Sequence, residues 1–260
     1  MPLKLYYLRR QIYPLPPRIK VAAVSYLNTK PLLWGIEHSN ILDEIELELD
    51  YPARLASGLR AGNVDIALLP VAAISEILNA RIVGDYGIAA DGEVASVALF
   101  SKTPLESIET VYLDYQSRTS VQLTRILFKH FWKKEVTFLP APENYIEMIS
   151  GTTAGVIIGD RALEQRTNFP FVYDLAEAWK AFTGLPFVFA AWVSNKELPA
   201  DFLSRFNEAN REGLKHIDDV VAANPFPAYD LQKYYRENIQ YLLDEPKKAG
   251  LERFLELIKE

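Results

Sequence analysis

The sequence predicts an α/β protein of two lobes with a cleft between them and a helical C-terminus. Three observations carry this. Apolar strand-like runs alternate with amphipathic helix-like runs over the first 185 or so residues, the pattern of α/β architecture with largely parallel sheets. The pattern restarts after Pro104. Two strongly apolar runs, 94–100 and 186–194, lie where a chain would leave a first lobe and return to it. These place residues 18–102 and 190–260 in lobe 1, 103–189 in lobe 2, and 1–17 in an irregular extension.

The elements follow in order. Residues 19–25 read as a strand, and Thr29 onward as a helix with Thr29 near its N-cap and Pro31 in its first turn. "IELELDYP" alternates with period 2, as a half-buried strand does. "ARLASGLRAG" is a short helix closed by Gly62, "VDIALLP" a buried strand, and "VAAISEILNA" a helix. Strands follow over 80–90 and 95–102. In the second half, "TVYLD" is a strand, "YQSRTS" a loop and "SVQLTRILFKHFW" an amphipathic helix. "KEVTFLP" and "AGVIIG" are strands, with short helices at "NYIEMIS" and "DRALEQR". "FVYDLAEAWKAFTG" leads into the long apolar strand "LPFVFAAWVS", and helix dominates from Lys196. No repeat of solenoid or propeller period occurs.

Composition excludes several function classes. The net charge of −6, without any Lys/Arg-rich run, argues against nucleic acid as a partner. The absence of cysteine removes thiol nucleophiles, disulfides and cysteine metal sites, and fits a reducing compartment. The N-terminus lacks the apolar core of a signal peptide, and runs such as "GLPFVFAAWV" are too short to span a bilayer, so a cytoplasmic protein without a membrane partner is expected. His38, His130 and His216 are scattered without a second ligand at metal spacing, and there is no phosphate loop, dinucleotide fingerprint or nucleophile elbow.

The candidate site lies at the strand ends. Ser25 and Asn28 follow the first strand; Gly92 and Ser96 flank the approach to the strand at 97; Ser117, Arg118, Thr119 and Ser120 follow "VYLD"; Gly159 and Asp160 follow "GVII". In open α/β sheets ligands bind outside strand carboxyl ends, where helix N-termini present free N–H groups. Those amides and hydroxyls suit a carboxylate or phosphate, and Arg118 adds a fork able to grip a carboxylate twice. Ser, Thr and Asn there also serve as plain helix caps, and Asp160 is a good N-cap. Asn28 sits among apolar neighbours, where an unpaired amide costs about 1–3 kcal/mol, so it requires a partner. Phe187 and Trp192 suit either ring stacking on a ligand or a buried core.

Six segments in order, "SYLNTKPL", "VDIALLPVA", "GEVASVALFSK", "LDYQSRTSVQLTRIL", "VIIGDRAL" and "TGLPFVFAAWV", resemble the chorismate dehydratase family of the futalosine route to menaquinone. The resemblance runs from about residue 18 to about 245. It implies a periplasmic-binding-protein type II-like fold and an enzyme without metal or organic cofactor. It further implies a dianionic small-molecule substrate, chorismate, which loses water to give 3-[(1-carboxyvinyl)oxy]benzoate. It assigns the catalytic positions to Asn28 and Ser96. Ser25, Ser117, Thr119 and Ser120 would hold the substrate, with Arg118 assisting or bracing the loop, and Gly159 and Asp160 would form the opposing wall. The sister dihydroxynaphthoate synthase shares the fold but begins with a Ser-Pro-Cys-Pro-Asn type of motif, which this cysteine-free chain lacks. That synthase and a non-catalytic carboxylate-binding protein are the alternatives. The sequence leaves open the oligomeric state and the group that takes the substrate's proton.

Overall fold

The computed structural model describes residues 18–114 and 117–260; the extension expected over 1–17 lies outside them, as do the first two residues of the expected 115–120 loop. The chain opens with β1 (Ile19–Ala23), α1 (Lys30–Glu37), β2 (Ile45–Leu49), α2 (Pro52–Ala61), β3 (Ile66–Pro70) and the long β4 (Arg81–Ala90). β5 (Val97–Ser101), β6 (Thr110–Leu113), α3 (Arg118–Ile126), β7 (Thr137–Pro140), α4 (Tyr145–Met148), β8 (Thr153–Ile158), α5 (Asp160–Gln165), β9 (Phe171–Asp174) and α6 (Leu175–Thr183) follow. The return consists of β10 (Phe187–Ser194), α7 (Ala200–Lys215), α8 (Ile217–Ala223), α9 (Leu231–Lys233), β11 (Gln240–Leu242) and α10 (Glu245–Leu257).

Two sheets result, one of six strands in the order β11-β4-β10-β3-β1-β2 and one of five in the order β7-β6-β8-β5-β9. β1 is an interior strand, and Val21, Ala22 and Ala23 are apolar towards both faces and fully buried. It pairs in parallel with β2, Ile19 opposite Ile45, and with β3.

The sheets are mixed rather than largely parallel. β10 inserts antiparallel between β3 and β4, and β5 runs antiparallel to both β8 and β9. A chain that leaves one sheet and re-enters it between existing strands has no helical crossover at that point to enforce parallel pairing. The passage between sheets falls between Ala90 and Val97 and the return before Phe187, a few residues earlier than the boundaries expected at 102 and 190. β9 and β11 are strands that the sequence pattern does not predict.

Other differences are local. "VAAISEILNA" forms only a tight helical turn over Val71–Glu76. Beyond it Ile77 is extended and buried, Leu78 is 83% exposed and Asn79 has φ +58°, so no continuous apolar stripe supports a longer helix. The helix expected to reach Trp132 widens after Ile126, where the Trp132 N–H donates to the Leu127 carbonyl at 2.8 Å. Gly62 ends α2 at φ +74° as expected.

α1 is fixed by an unusually close crossing with α7. A Cβ added to Gly35 would lie 1.9 Å from the Ala209 carbonyl oxygen, and one added to Gly213 would lie 1.9 Å from that of Pro31. The two backbones therefore touch, which locks the start of α1 against the C-terminal return. Among the described residues no helix is long and apolar enough to cross a membrane.

Candidate functional site

A pocket of about 660 Å³, partly open to solvent, lies between the two sheets. Asn28, Ser96, Ser117, Thr119, Ser120 and Gly159 all line it, so residues scattered over more than 130 positions converge on one cavity. Its other walls are mostly apolar, among them Val24, Leu68, Ile88, Val97, Ile158 and Phe189. No Lys, Arg, His, Asp or Glu is among these lining residues. A ligand anion here meets neutral donors in a low-dielectric setting, where each hydrogen bond is stronger than in water.

The first sheet supplies Asn28. β1 ends at Ala23 and a tight turn over Leu27–Thr29 carries the chain into α1. Thr29 stands at the N-cap position yet makes no side-chain cap. It is fully buried, and its hydroxyl instead donates to Asn28 Oδ1 at 3.2 Å. That bond satisfies the amide oxygen and leaves the Asn28 NH2 for a pocket ligand, which answers the need for a partner raised by the sequence.

The second sheet supplies the N-terminus of α3. Ser117 is its N-cap, accepting from the Ser120 N–H at 3.1 Å while its hydroxyl bonds Ser120 Oγ at 2.8 Å. The first-turn N–H groups of a helix lack intrahelical partners and carry the positive end of its dipole, so those of Arg118 and Thr119 are of the kind that can hold an anion. Thr119 Oγ1 also accepts from the Ala72 N–H of the first lobe at 3.2 Å, bridging the cleft.

Ser96 sits on the passage between sheets, in the most constrained backbone of the site. Its N–H donates to the Val94 carbonyl at 2.8 Å, closing a three-residue turn centred on Ala95 at φ +64°. Such a turn at a non-glycine residue is rare and strained, and persists only where the surroundings over-determine it. Here they do. The buried Asp174 carboxylate accepts from Val94 N–H at 3.1 Å and Ala95 N–H at 2.8 Å, and caps α6 through Ala176 and Glu177. Arg166 donates to the Ala95 carbonyl at 2.9 Å, pairs with Glu93 and lies 3.8 Å from Asp174. Burial pushes the Asp174 carboxyl up to about 6, against the pull of the Val94, Glu177 and Ala95 amides and of Arg166. Beyond the turn, the Ser96 carbonyl accepts from Gly159 N–H at 2.7 Å, and its Oγ accepts from the Tyr234 hydroxyl at 2.8 Å.

Three expected residues lie away from this cavity. Ser25 is exposed, lines a neighbouring surface hollow and accepts from Lys30 Nζ at 2.8 Å. Arg118 points away and pairs with Glu76 on the surface. Asp160 opens α5 and turns its carboxylate to the Leu27 N–H at 3.2 Å, a second bridge between lobes; burial raises its pKa and that amide opposes the rise.

The two aromatic candidates are core. Phe187 is 1% exposed and packs on Trp179 and Phe254, and Trp192 is fully buried, donating to Asn210 Oδ1 at 3.1 Å. Phe189 lines the pocket instead. The β10–β4 register slips between Val188 and Ala190, which places Phe189 at a bulge. Nothing in the sequence marks a bulge there. Tyr26 and Thr29 of the "SYLNT" junction also line the pocket, whereas the sequence predicts only a helix cap at Thr29.

The chain is 30% identical over 90% of its length to a chorismate dehydratase of Thermus thermophilus, covering 92% of that protein. It is 26% identical over 91% of its length to a chorismate dehydratase of Campylobacter jejuni, covering 96%. A solved structure from Candida albicans, described as showing the generic periplasmic binding protein fold, superposes with a TM-score of 0.59 at 13% identity, over 94% of this chain and 90% of that one. The two-lobed architecture is thus of periplasmic-binding-protein type. The profile of the menaquinone biosynthesis family matches residues 19–260, and the chain belongs to that family.

Proposed function

We propose that this protein is a chorismate dehydratase, a carbon–oxygen lyase converting chorismate to 3-[(1-carboxyvinyl)oxy]benzoate and water on the futalosine route to menaquinone, in the cytoplasm. The observation that carries the reading is the meeting of Asn28, Ser96 and the N-terminus of α3 in one pocket without a charged lining residue. The reaction suits such a site. The hydrogen on the ring carbon bearing the enolpyruvyl ether is acidified through the ring diene and the ring carboxylate. Its removal and the loss of the neighbouring hydroxyl give an aromatic ring, so the driving force resides in the substrate. The protein has to orient a dianion, stabilise charge building on the ring carboxylate and assist the departing oxygen.

In this reading the α3 amides with Ser117 and Ser120 hold a carboxylate, and Asn28 and Ser96 face the reacting ring. No side chain lining the pocket is a base, and Asp160 is engaged with the Leu27 amide. The substrate's own enolpyruvyl carboxylate then takes the ring proton and passes it to the leaving hydroxyl, which departs as water, so that protons balance within the substrate.

The test is incubation with chorismate and mass spectrometry of the products. Loss of one water, abolished in a folded Asn28→Ala and retained at near-normal kcat in Asp160→Asn, supports both the reaction and the internal base. Chorismate returned unchanged by folded protein refutes the reaction and leaves a carboxylate-binding protein. Collapse of kcat in Asp160→Asn with intact binding makes Asp160 the base.

A further inference from the structure

Ser96 is gripped from a direction that none of the strand-end junctions accounts for. Tyr234 lies in the C-terminal return, 138 positions away, on a single wide helical turn over Tyr234–Asn238. Such turns place a side chain out of the ordinary helical register and recur at functional sites. The Tyr234 ring is fully buried, edge-on to Tyr229 and tilted against Tyr235. Its hydroxyl reaches Ser96 Oγ at 2.8 Å.

We infer that Tyr234 is a positioning residue for the dehydration proposed above, donating to Ser96 Oγ so that Ser96 turns its own proton into the pocket toward the oxygen that leaves the ring. The inference rests on that reaction. The Ser96 backbone is already committed at both ends, its N–H to Val94 and its carbonyl to Gly159, so only the hydroxyl is free to serve a ligand. A serine hydroxyl has one proton and two lone pairs. With one lone pair filled by Tyr234, the proton is left to point elsewhere, and Ser96 lines the cavity.

Burial also raises the pKa of Tyr234 far above that of a free tyrosine, which keeps it a donor over the whole working range of pH. A hydroxyl that accepts a hydrogen bond is itself a stronger donor, the cooperativity of chained bonds in a low dielectric. The hydroxyls of Tyr235 and Tyr241, buried beside it, have no hydrogen-bond partner among the described residues. This cluster thus holds unpaired phenols, and the pairing at Tyr234 is particular to Ser96. No proton is transferred by the tyrosine; it orients and polarises.

The experiment is a double-mutant cycle on chorismate turnover, with Tyr234→Phe, Ser96→Ala and the pair, each checked by urea unfolding. Tyr234→Phe keeps the ring and its packing. It is expected to lower kcat about 5- to 20-fold with KM changed less than about twofold, as for an interaction made mainly in the transition state. In the Ser96→Ala background the same change is expected to alter kcat by less than about twofold, because its target is gone. A structural role would depress kcat equally in both backgrounds, and that result overturns the inference. So does wild-type kcat in the single Tyr234→Phe variant. If the wild-type protein itself returns chorismate unchanged, the reaction has failed and this assignment falls with it, a result recognisable before any variant is made.

Discussion

Ala95 makes a prediction that runs against ordinary core substitution. Replacing a fully buried alanine by glycine removes a methyl, about 0.8 kcal/mol of burial, and frees the unfolded backbone, about 0.5–1 kcal/mol. Ala154 in β8 is as deeply buried as Ala95 and has no positive φ, so Ala154→Gly should cost about 1.5 kcal/mol. Ala95 sits at φ +64°, where an L-residue carries about 1–2 kcal/mol of strain that glycine does not. The strain relieved nearly offsets the methyl and the entropy, so Ala95→Gly should change stability by less than about 0.5 kcal/mol. In urea, with a slope near 3 kcal/mol/M for a chain of this size, Ala154→Gly should move the midpoint down by about 0.5 M and Ala95→Gly hardly at all. Activity should follow the reverse order, since a glycine at 95 loosens the turn that presents Ser96. Equal midpoint shifts for the two variants would show that no strain is stored at Ala95 and would undo the account of why Asp174 and Arg166 converge there.

Other outcomes follow from the same geometry. Gly35→Ala would force α1 and α7 apart, because a methyl cannot sit 1.9 Å from the Ala209 carbonyl oxygen; overpacking of this kind costs about 1–3 kcal/mol, and a thermal or urea midpoint equal to wild type would refute the close crossing. Arg118→Ala should cost less than about 1 kcal/mol, as for an exposed ion pair, and should leave kcat/KM within about threefold; a hundredfold loss would return Arg118 to the site. For Asp174 the folded carboxyl titrates near 6 and the unfolded one near 3.9. Between those values the folded state holds more protons, so this group's contribution to stability is full below about pH 4 and is lost as pH rises through 6, by at most about 3 kcal/mol. Activity should move oppositely, falling below pH 6 as the protonated carboxyl releases the Val94–Ala95 turn. Carboxyl-carbon NMR of Asp174 titrating below about 4.5 would contradict both.

Much of the candidate site's lining is legible in the sequence because it resides in junctions. Asn28, Ser96, Ser117, Thr119, Ser120 and Gly159 were singled out as small polar groups at strand ends, and all six line the pocket. Local rules read these well, since caps and turn residues depend on nearest neighbours in the chain. What stayed hidden depends on distant parts of the chain. Asp174 caps α6 in the structure, and nothing around it in the sequence announces two further bonds to residues 94 and 95. Phe189 lines the pocket at a register slip, and Tyr234 reaches Ser96 from a helical turn of unusual width. The mixed sheets escaped for the same reason: alternation of strands and helices records local order, whereas β10 wedged between β3 and β4 is a fact about where a returning chain finds space.

The two bridges across the cleft have a consequence for how this enzyme could be tuned by evolution. In both, the donor on the first lobe is a backbone amide, Leu27 or Ala72, and the acceptor is a side chain of the second, Asp160 or Thr119. No replacement at Leu27 or Ala72 other than proline can delete an amide proton. One substitution at Asp160 or Thr119 removes an acceptor at once. Heritable adjustment of these two bridges is therefore concentrated in one lobe, whereas the Arg118–Glu76 ion pair that also joins the lobes is open to substitution from either side. With each bridge worth about 0.5–1.5 kcal/mol, losing one would raise the population of separated lobes by about two- to tenfold. Variants that trade tight enclosure of a ligand for faster exchange are accessible in single steps, and they should accumulate at positions 119 and 160 rather than at 27 and 72.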